Sequence, residues 1–239
     1  KGDLQDSAMS EIMMRRMVFN PFGNQVQELI GRLTMILLDS VKLNRYKNDP
    51  EMTADLYHRI ARSYVNAPAL RLTWLDALFS KNREQNYLVE AAECLCHMAA
   101  FISEYIHLLN RGGGGLRATP APAQPWMPEG YRSFTAISNN ISEEGVLEEA
   151  MLDEESLSDS RDFTEEGLVQ VMEKAVQVLN QAELYEIEHQ LYKLLLPIYE
   201  HARQYEKLRD SFRQLSAAYG SVIEANASGA RMLGTYYRV

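Results

Sequence analysis

Apolar residues recur at three- and four-residue spacing through most of this chain, the period of an amphipathic helix. Val26, Leu29, Ile30, Leu33, Ile36, Leu37 and Val41 mark one such stripe within residues 26–46, and a weaker pattern over 8–19 breaks at Asn20-Pro21. The stretch NDPEMTADLYHRIARSYVNAP then sets its own limits. Asp49 suits the N-cap, Pro50 the first helical position, and Glu51 complements the helix dipole. Pro68 opens the next helix in the same way, through ALRLTWLDALF. The longest pattern, 87–109, places Ala91, Leu95, Met98, Ile102, Tyr105 and Leu109 on one face; at the helical rise it spans roughly 35 Å.

Beyond residue 163 the pattern is tidier. Thr164 caps a helix with Glu165 and Glu166 in its first turn and Leu168, Val171, Met172, Ala175 and Leu179 along one face. A second helix runs from 183 past Pro197, which is expected to kink it, and a third from about 204 to 225. The triplets LYE (184–186) and QYE (204–206) recur twenty residues apart at two helix starts. Short connections make antiparallel neighbours, so the fold class is all-α: an antiparallel, solenoid-like array of helical hairpins. The Trp, Leu-Gly and Tyr phasing of a tetratricopeptide repeat is absent.

Two segments depart from this pattern. Residues 110–130 hold Gly112 to Gly115 and four prolines, Pro120, Pro122, Pro125 and Pro128, a composition that sustains neither helix nor strand. The acidic stretch after it has a composition that suits disorder, with YRSFTAISNNI (131–141) as an exception able to lie extended against the helices. At the end, MLGTYYRV (232–239) is β-branched and aromatic and alternates like the start of a strand. The expected layout is a helical block over 1–110, a largely disordered linker over 111–162, a second helical block of the same lobe over 163–230, and the start of a β-containing lobe over 231–239. The opening Lys1-Gly2-Asp3 has no initiator methionine or targeting pattern, so the sequence reads as a piece of something longer.

Charge changes the picture once it is located. The net charge is −9, yet residues 142–166 hold eleven acids against Arg161 alone. The rest of the chain is close to neutral and offers no basic stripe for phosphates, which argues against nucleic acid as a partner. No apolar run reaches the roughly 18 residues of a membrane-spanning helix, so no membrane insertion is expected. Cys94 and Cys96 lie two apart on a helix, about 200° around its axis, and cannot pair. Reduced thiols suit a cytosolic or nuclear setting, and the cytoplasm is the expected location.

Candidates for chemistry are few. Cys94 and His97 sit three apart on one helix, but no third orienting group is identifiable, and Cys94 reads as a buried core cysteine. Glu-x-x-His occurs twice, at Glu104/His107 and Glu186/His189, the spacing that di-iron carboxylate bundles use. With Ile102 and Leu191 as centres of the buried faces, both pairs are turned toward solvent, so no metal site is expected. The four glycines lack the Lys-Ser/Thr and preceding strand of a phosphate loop. Arg59, Arg62 and Arg71 read as a solvated helix face. No catalytic residue and no cofactor is assigned.

Five blocks in order carry a resemblance: DPEMTADLYHRIARSYVNAPALRLTWL (49–75), EAAECLCHMAAFISEYIHLL (90–109), FTEEGLVQVMEKA (163–175), LYKLLLPIYEHARQYEKL (191–208) and RMLGTYYRV (231–239). Together they resemble the start of the DOCK homology region 2 of the dedicator of cytokinesis family, in its zizimin and zizimin-related branches. The resemblance implies guanine nucleotide exchange on Rho-family GTPases of the Rac and cell-division-control types. It places this chain in the first of three lobes, a helical array through which the region homodimerises. The second and third lobes hold the GTPase, so this lobe alone is expected to be inactive, with GTYYRV as the first strand of the second lobe. Tyr237 stands where the family usually has Phe.

A physical argument for self-association stands beside the resemblance. The 87–109 helix carries Phe101, Tyr105, Ile106 and Leu108 on and beside its main stripe, more apolar surface than one neighbouring helix covers. These four are the expected dimer contacts. The competing reading is an unrelated helical-repeat adaptor that holds peptides in a concave groove.

Overall fold

A computed structural model describes residues 21–64, 67–110, 124–141 and 162–229. All regular structure among them is helical, as the periodicity requires. The expected strand over 231–239 and the weak 8–19 pattern lie outside the described residues. The chain divides after Ser63 into two compact units.

The first unit holds α1 (Pro21–Arg45) and α2 (Pro50–Ser63), packed on each other. Proline opens both helices, where its missing N–H costs nothing. Asp49 caps α2 as its sequence suggests, its Oδ1 accepting the Met52 N–H at 3.0 Å. The Thr53 hydroxyl donates to the Tyr46 carbonyl at 2.9 Å across the turn. The main polar link is Asp39 of α1, 2% exposed, which meets Arg59 of α2 at 3.0 Å and Lys42 at 3.2 Å. Arg59 is therefore not part of a merely solvated face.

The second unit holds α3 (Pro68–Glu84), α4 (Leu88–Asn110), a 3-10 turn η1 (Gly130–Phe134), α5 (Glu165–Gln181), α6 (Tyr185–His201) and α7 (Tyr205–Ser228). Helix α4 packs against α3, α5 and η1, and the array then continues pairwise, α5 on α6 and α6 on α7. Thr164 caps α5 as expected, its hydroxyl oxygen accepting the Gly167 N–H at 3.1 Å. A side chain at 167 would meet the Asp162 carbonyl at 2.2 Å, so glycine lets the chain enter the helix there. Helix α6 continues through Pro197.

Three hairpins turn by one device. Asn86, Glu183 and Arg203 take left-handed φ values of 61°, 59° and 54° directly after α3, α5 and α6. In each, the next residue's N–H reaches back five positions: Tyr87 to Asn82 O at 2.8 Å, Leu184 to Leu179 O at 2.9 Å, Gln204 to Tyr199 O at 2.9 Å. The left-handed residue itself donates three back, to Arg83, Asn180 and Glu200. This double bond pattern satisfies the last carbonyls of the helix. It also accounts for the repeated Tyr-Glu, since Tyr185-Glu186 and Tyr205-Glu206 begin the helices that leave two such turns.

The long helix departs most from expectation. Met98 to Tyr105 are eight consecutive buried residues, more than two full turns, so α4 is enclosed all round rather than along one stripe. Leu109, expected inside, is 38% exposed near the helix end. One cover is the segment 124–141, which folds into a short helical turn rather than an extended strip, with Tyr131, Phe134, Ile137 and Ile141 buried. It lies within the tract expected to be disordered; residues 111–123 and 142–161 lie outside the described residues. Arg71, expected in solvent, is 7% exposed, its guanidinium 4.6 Å over the Phe101 ring.

The turns make a test. Arg203 is exposed and pays the roughly 1–2 kcal/mol cost of left-handed backbone for an L residue. Glycine removes that cost and adds about 0.5–1 kcal/mol of unfolded-state entropy. Arg203→Gly is expected to raise stability by about 0.5–1 kcal/mol, read from urea midpoints at unchanged slope. A lower midpoint would show that the turn carries no strain.

Candidate functional site

The candidate chemical groups are placed as packing groups. Cys94 and Cys96 are buried, and burial pushes each thiol up to about 12. A nucleophilic cysteine needs the thiolate, so neither serves; Cys94 instead accepts a bond from Asn82 Nδ2 at 3.5 Å. Glu104 is 6% exposed, not turned to solvent as the single-stripe reading had it. Its Oε2 accepts the Tyr131 N–H at 2.9 Å, and the chain passes so close that a Cβ on Gly130, at φ +60°, would fall 1.9 Å from that oxygen. Glu104 is thus an anchor for the covering segment. Trp126 of the same segment stacks on His201 at 3.5 Å between ring centroids.

The second pair is placed differently. Glu186 is exposed and His189 partly buried, and His189 packs edge-on to Tyr219. Burial, then the Lys193 charge, holds its imidazole below the usual range. The carboxylate that α6 does bury is Glu188, 1% exposed, which accepts from Asn180 Nδ2 at 3.0 Å. Among the described residues no group of three His, Cys, Asp or Glu could hold a metal ion, and no helix is long and apolar enough to cross a membrane.

What the structure offers instead is surface. Of the four expected dimer residues, Phe101 and Tyr105 are 1% and 2% exposed. Both pack on Phe163, with ring centroids 5.8 and 4.2 Å apart. They are spent inside the chain because α5 and its lead-in cover the side of α4 that the sequence left open. Ile106 and Leu108 are half-buried. The large exposed apolar stripe is on α1: Phe22, Val26, Leu29, Ile30, Leu33, Leu37 and Val41, from 36% exposed at Val26 to 71% at Val41. Its periodicity was visible in the sequence, but periodicity marks an apolar face without saying what covers it. A shorter stripe, Tyr205, Phe212, Tyr219 and Ile223, runs along α7.

The described residues thus form a helical array with a buried central helix, buried cysteines and exposed apolar faces. The model of the family described as DHR-2, Lobe A matches residues 55–224, and the chain belongs to that family. It is 39% identical to dedicator of cytokinesis protein 8 of Homo sapiens over 225 residues, 93% of this chain and 10% of that protein. Dedicator of cytokinesis proteins 7 and 6 of Mus musculus are 37% and 38% identical over 220 residues, 91% of this chain and 10% of each of theirs. The chain spans about a tenth of the length of these curated relatives.

Glu188 gives the site its pH signature. Burial raises its carboxyl above the ordinary range, against the lowering effect of the Asn180 bond. A raised folded-state value adds stability that is complete at acid pH and is lost as pH rises through it. Glu188→Gln keeps an acceptor for Asn180 and removes the buried charge. It is expected to stabilise the chain at pH 7, with the gain fading toward about pH 4, near the ordinary glutamate value. Urea titrations at both pH values check this; a loss of stability at pH 7 contradicts it.

Proposed function

We propose that this chain is the dimerising first lobe of a guanine nucleotide exchange factor for Rho-family GTPases of the Rac and cell-division-control types. It acts in the cytoplasm and has no exchange activity on its own. The family match over 55–224 carries the reading. In the arrangement that the resemblance implies, the second and third lobes hold the GTPase and expel its nucleotide, and the first supplies the contact between two copies. The chemistry fits: the buried thiols and carboxylates described above take part in packing and hydrogen bonds between elements.

The dimer surface moves from α4 to α1. The α1 stripe runs from Phe22 to Val41, about 28 Å at the helical rise. An apolar patch on the order of several hundred Å² marks an interface more often than bare surface. A standard interface takes roughly 800 Å² from each partner. A two-fold contact uses the same stripe twice, so each apolar side chain contributes in both subunits. Ile106 and Leu108 remain available at the end of α4, whereas Phe101 and Tyr105 act by holding the lobe together.

Two measurements test this. Light scattering of the 27.3 kDa chain is expected to show twice that mass at tens of micromolar, an ordinary range for such interfaces. Leu33→Glu with Leu37→Glu is expected to halve the mass with helix content intact. A monomer mass throughout that range would overturn the dimer. The chain is also expected to leave release of a fluorescent guanine nucleotide from Rac-type GTPases at its intrinsic rate; accelerated release contradicts the proposal.

A further inference from the structure

Helices α5, α6 and α7 line a half-open cavity of about 180 Å³ in the second unit. Sites for drug-sized ligands hold roughly 300–1,000 Å³, so this one has room for about a single side chain. Two tyrosines, Tyr192 and Tyr199, each 3% exposed, form part of its wall. The acceptor is Glu173 of α5. Its Oε1 receives both the Tyr199 hydroxyl at 2.7 Å and the Lys207 ammonium at 2.6 Å. Its Oε2 has no partner among the described residues. Ser211, which also lines the cavity, is 6% exposed, and its hydroxyl has no partner among them either.

Lys207 shows what the cavity binds. Its ammonium sits 5.4 Å over the Tyr199 ring while held by Glu173, so a cation is already recognised by a carboxylate and an aromatic face. Yet it engages one oxygen only, and its side chain is 46% exposed. Such a tie exchanges at little cost. A guanidinium uses the same features more fully. It is planar enough to lie along a tyrosine, it bonds both carboxylate oxygens in parallel, and it has N–H groups left for Ser211. Asp210 at the rim does not compete, being held by Arg209 at 3.0 Å and Arg213 at 3.3 Å.

We propose that this cavity is a docking pocket for one arginine side chain presented by a partner polypeptide, with Lys207 as the resident cation that the arginine displaces. The proposal stands on the geometry of these helices and not on the family reading. The test is a titration of the full chain, followed by NMR at Tyr199 and at Gln177, which also lines the cavity, with N-acetyl-arginine amide as the probe. Saturable shifts are expected at these residues, with no matching response to the uncharged N-acetyl-citrulline amide. Lys207→Ala vacates the pocket, and its exposed position leaves the fold intact. It is expected to tighten arginine binding on the order of two- to five-fold, the worth of an exposed ion pair. Glu173→Gln keeps an acceptor for Tyr199 and is expected to abolish the response at unchanged helix content. Equal shifts with citrulline, no tightening in Lys207→Ala, or tighter binding of free arginine than of the blocked probe would each overturn the proposal.

Discussion

From Met98 to Tyr105 helix α4 is covered around its whole circumference, and the second unit is arranged to do so. Ala91, Leu95, Phe101 and Ile102 are all at or below 1% exposed, and no single neighbour can reach every one of them. Helix α3 takes one side, α5 with Phe163 another, and η1 a third. Each large apolar side chain so buried is worth about 1.5–3 kcal/mol, so the loss of any one cover exposes several such terms. Polar groups inside the enclosure follow the same logic. Glu104 and Ser103 are buried because each finds a partner on a covering element, the Tyr131 N–H and the Pro128 carbonyl at 3.5 Å, and Arg71 of the covering α3 lies over the Phe101 ring of α4.

The helices beyond α5 do not share this sealed core, and polar ties take a larger part. Glu173 joins three helices through one carboxylate oxygen, with Tyr199 on α6 and Lys207 on α7. The left-handed turns at Glu183 and Arg203 bring those helices together without a glycine. The same small set of contacts leaves the α5–α6–α7 cavity and the exposed side of α7. A cavity and an exposed apolar stripe therefore arise where the array runs out of apolar cover.

Much of this was legible in the sequence. Asp49, Pro50, Pro68 and Thr164 announced helix starts that the structure repeats, and the paired Tyr-Glu marked two more. The five resemblance blocks pointed to the family that the chain matches. The errors have one physical source. A one-stripe reading of α4 puts Glu104 in water and Phe101 on an outer face, because periodicity records the polarity of a helix but not the number of its neighbours. The third neighbour, residues 124–141, follows a tract whose glycines and prolines hide the apolar run of Tyr131, Phe134, Ile137 and Ile141. Arg71 looked solvent-facing because a lone cation carries no sign of the aromatic ring above it. In α1 the spacing marked the apolar stripe correctly but carried no sign that the structure leaves it exposed.

Amide hydrogen exchange on the intact chain tests the enclosure of α4 most directly. If residues 124–141 are a structural wall of the core, the Tyr131 N–H, held by Glu104, and the Ile137 N–H, held by the Phe134 carbonyl at 2.9 Å, should be protected to a degree comparable with the centre of α4. They should open together with it as one cooperative unit. Exchange of both amides at unprotected rates, while the α4 amides stay protected, would contradict the account.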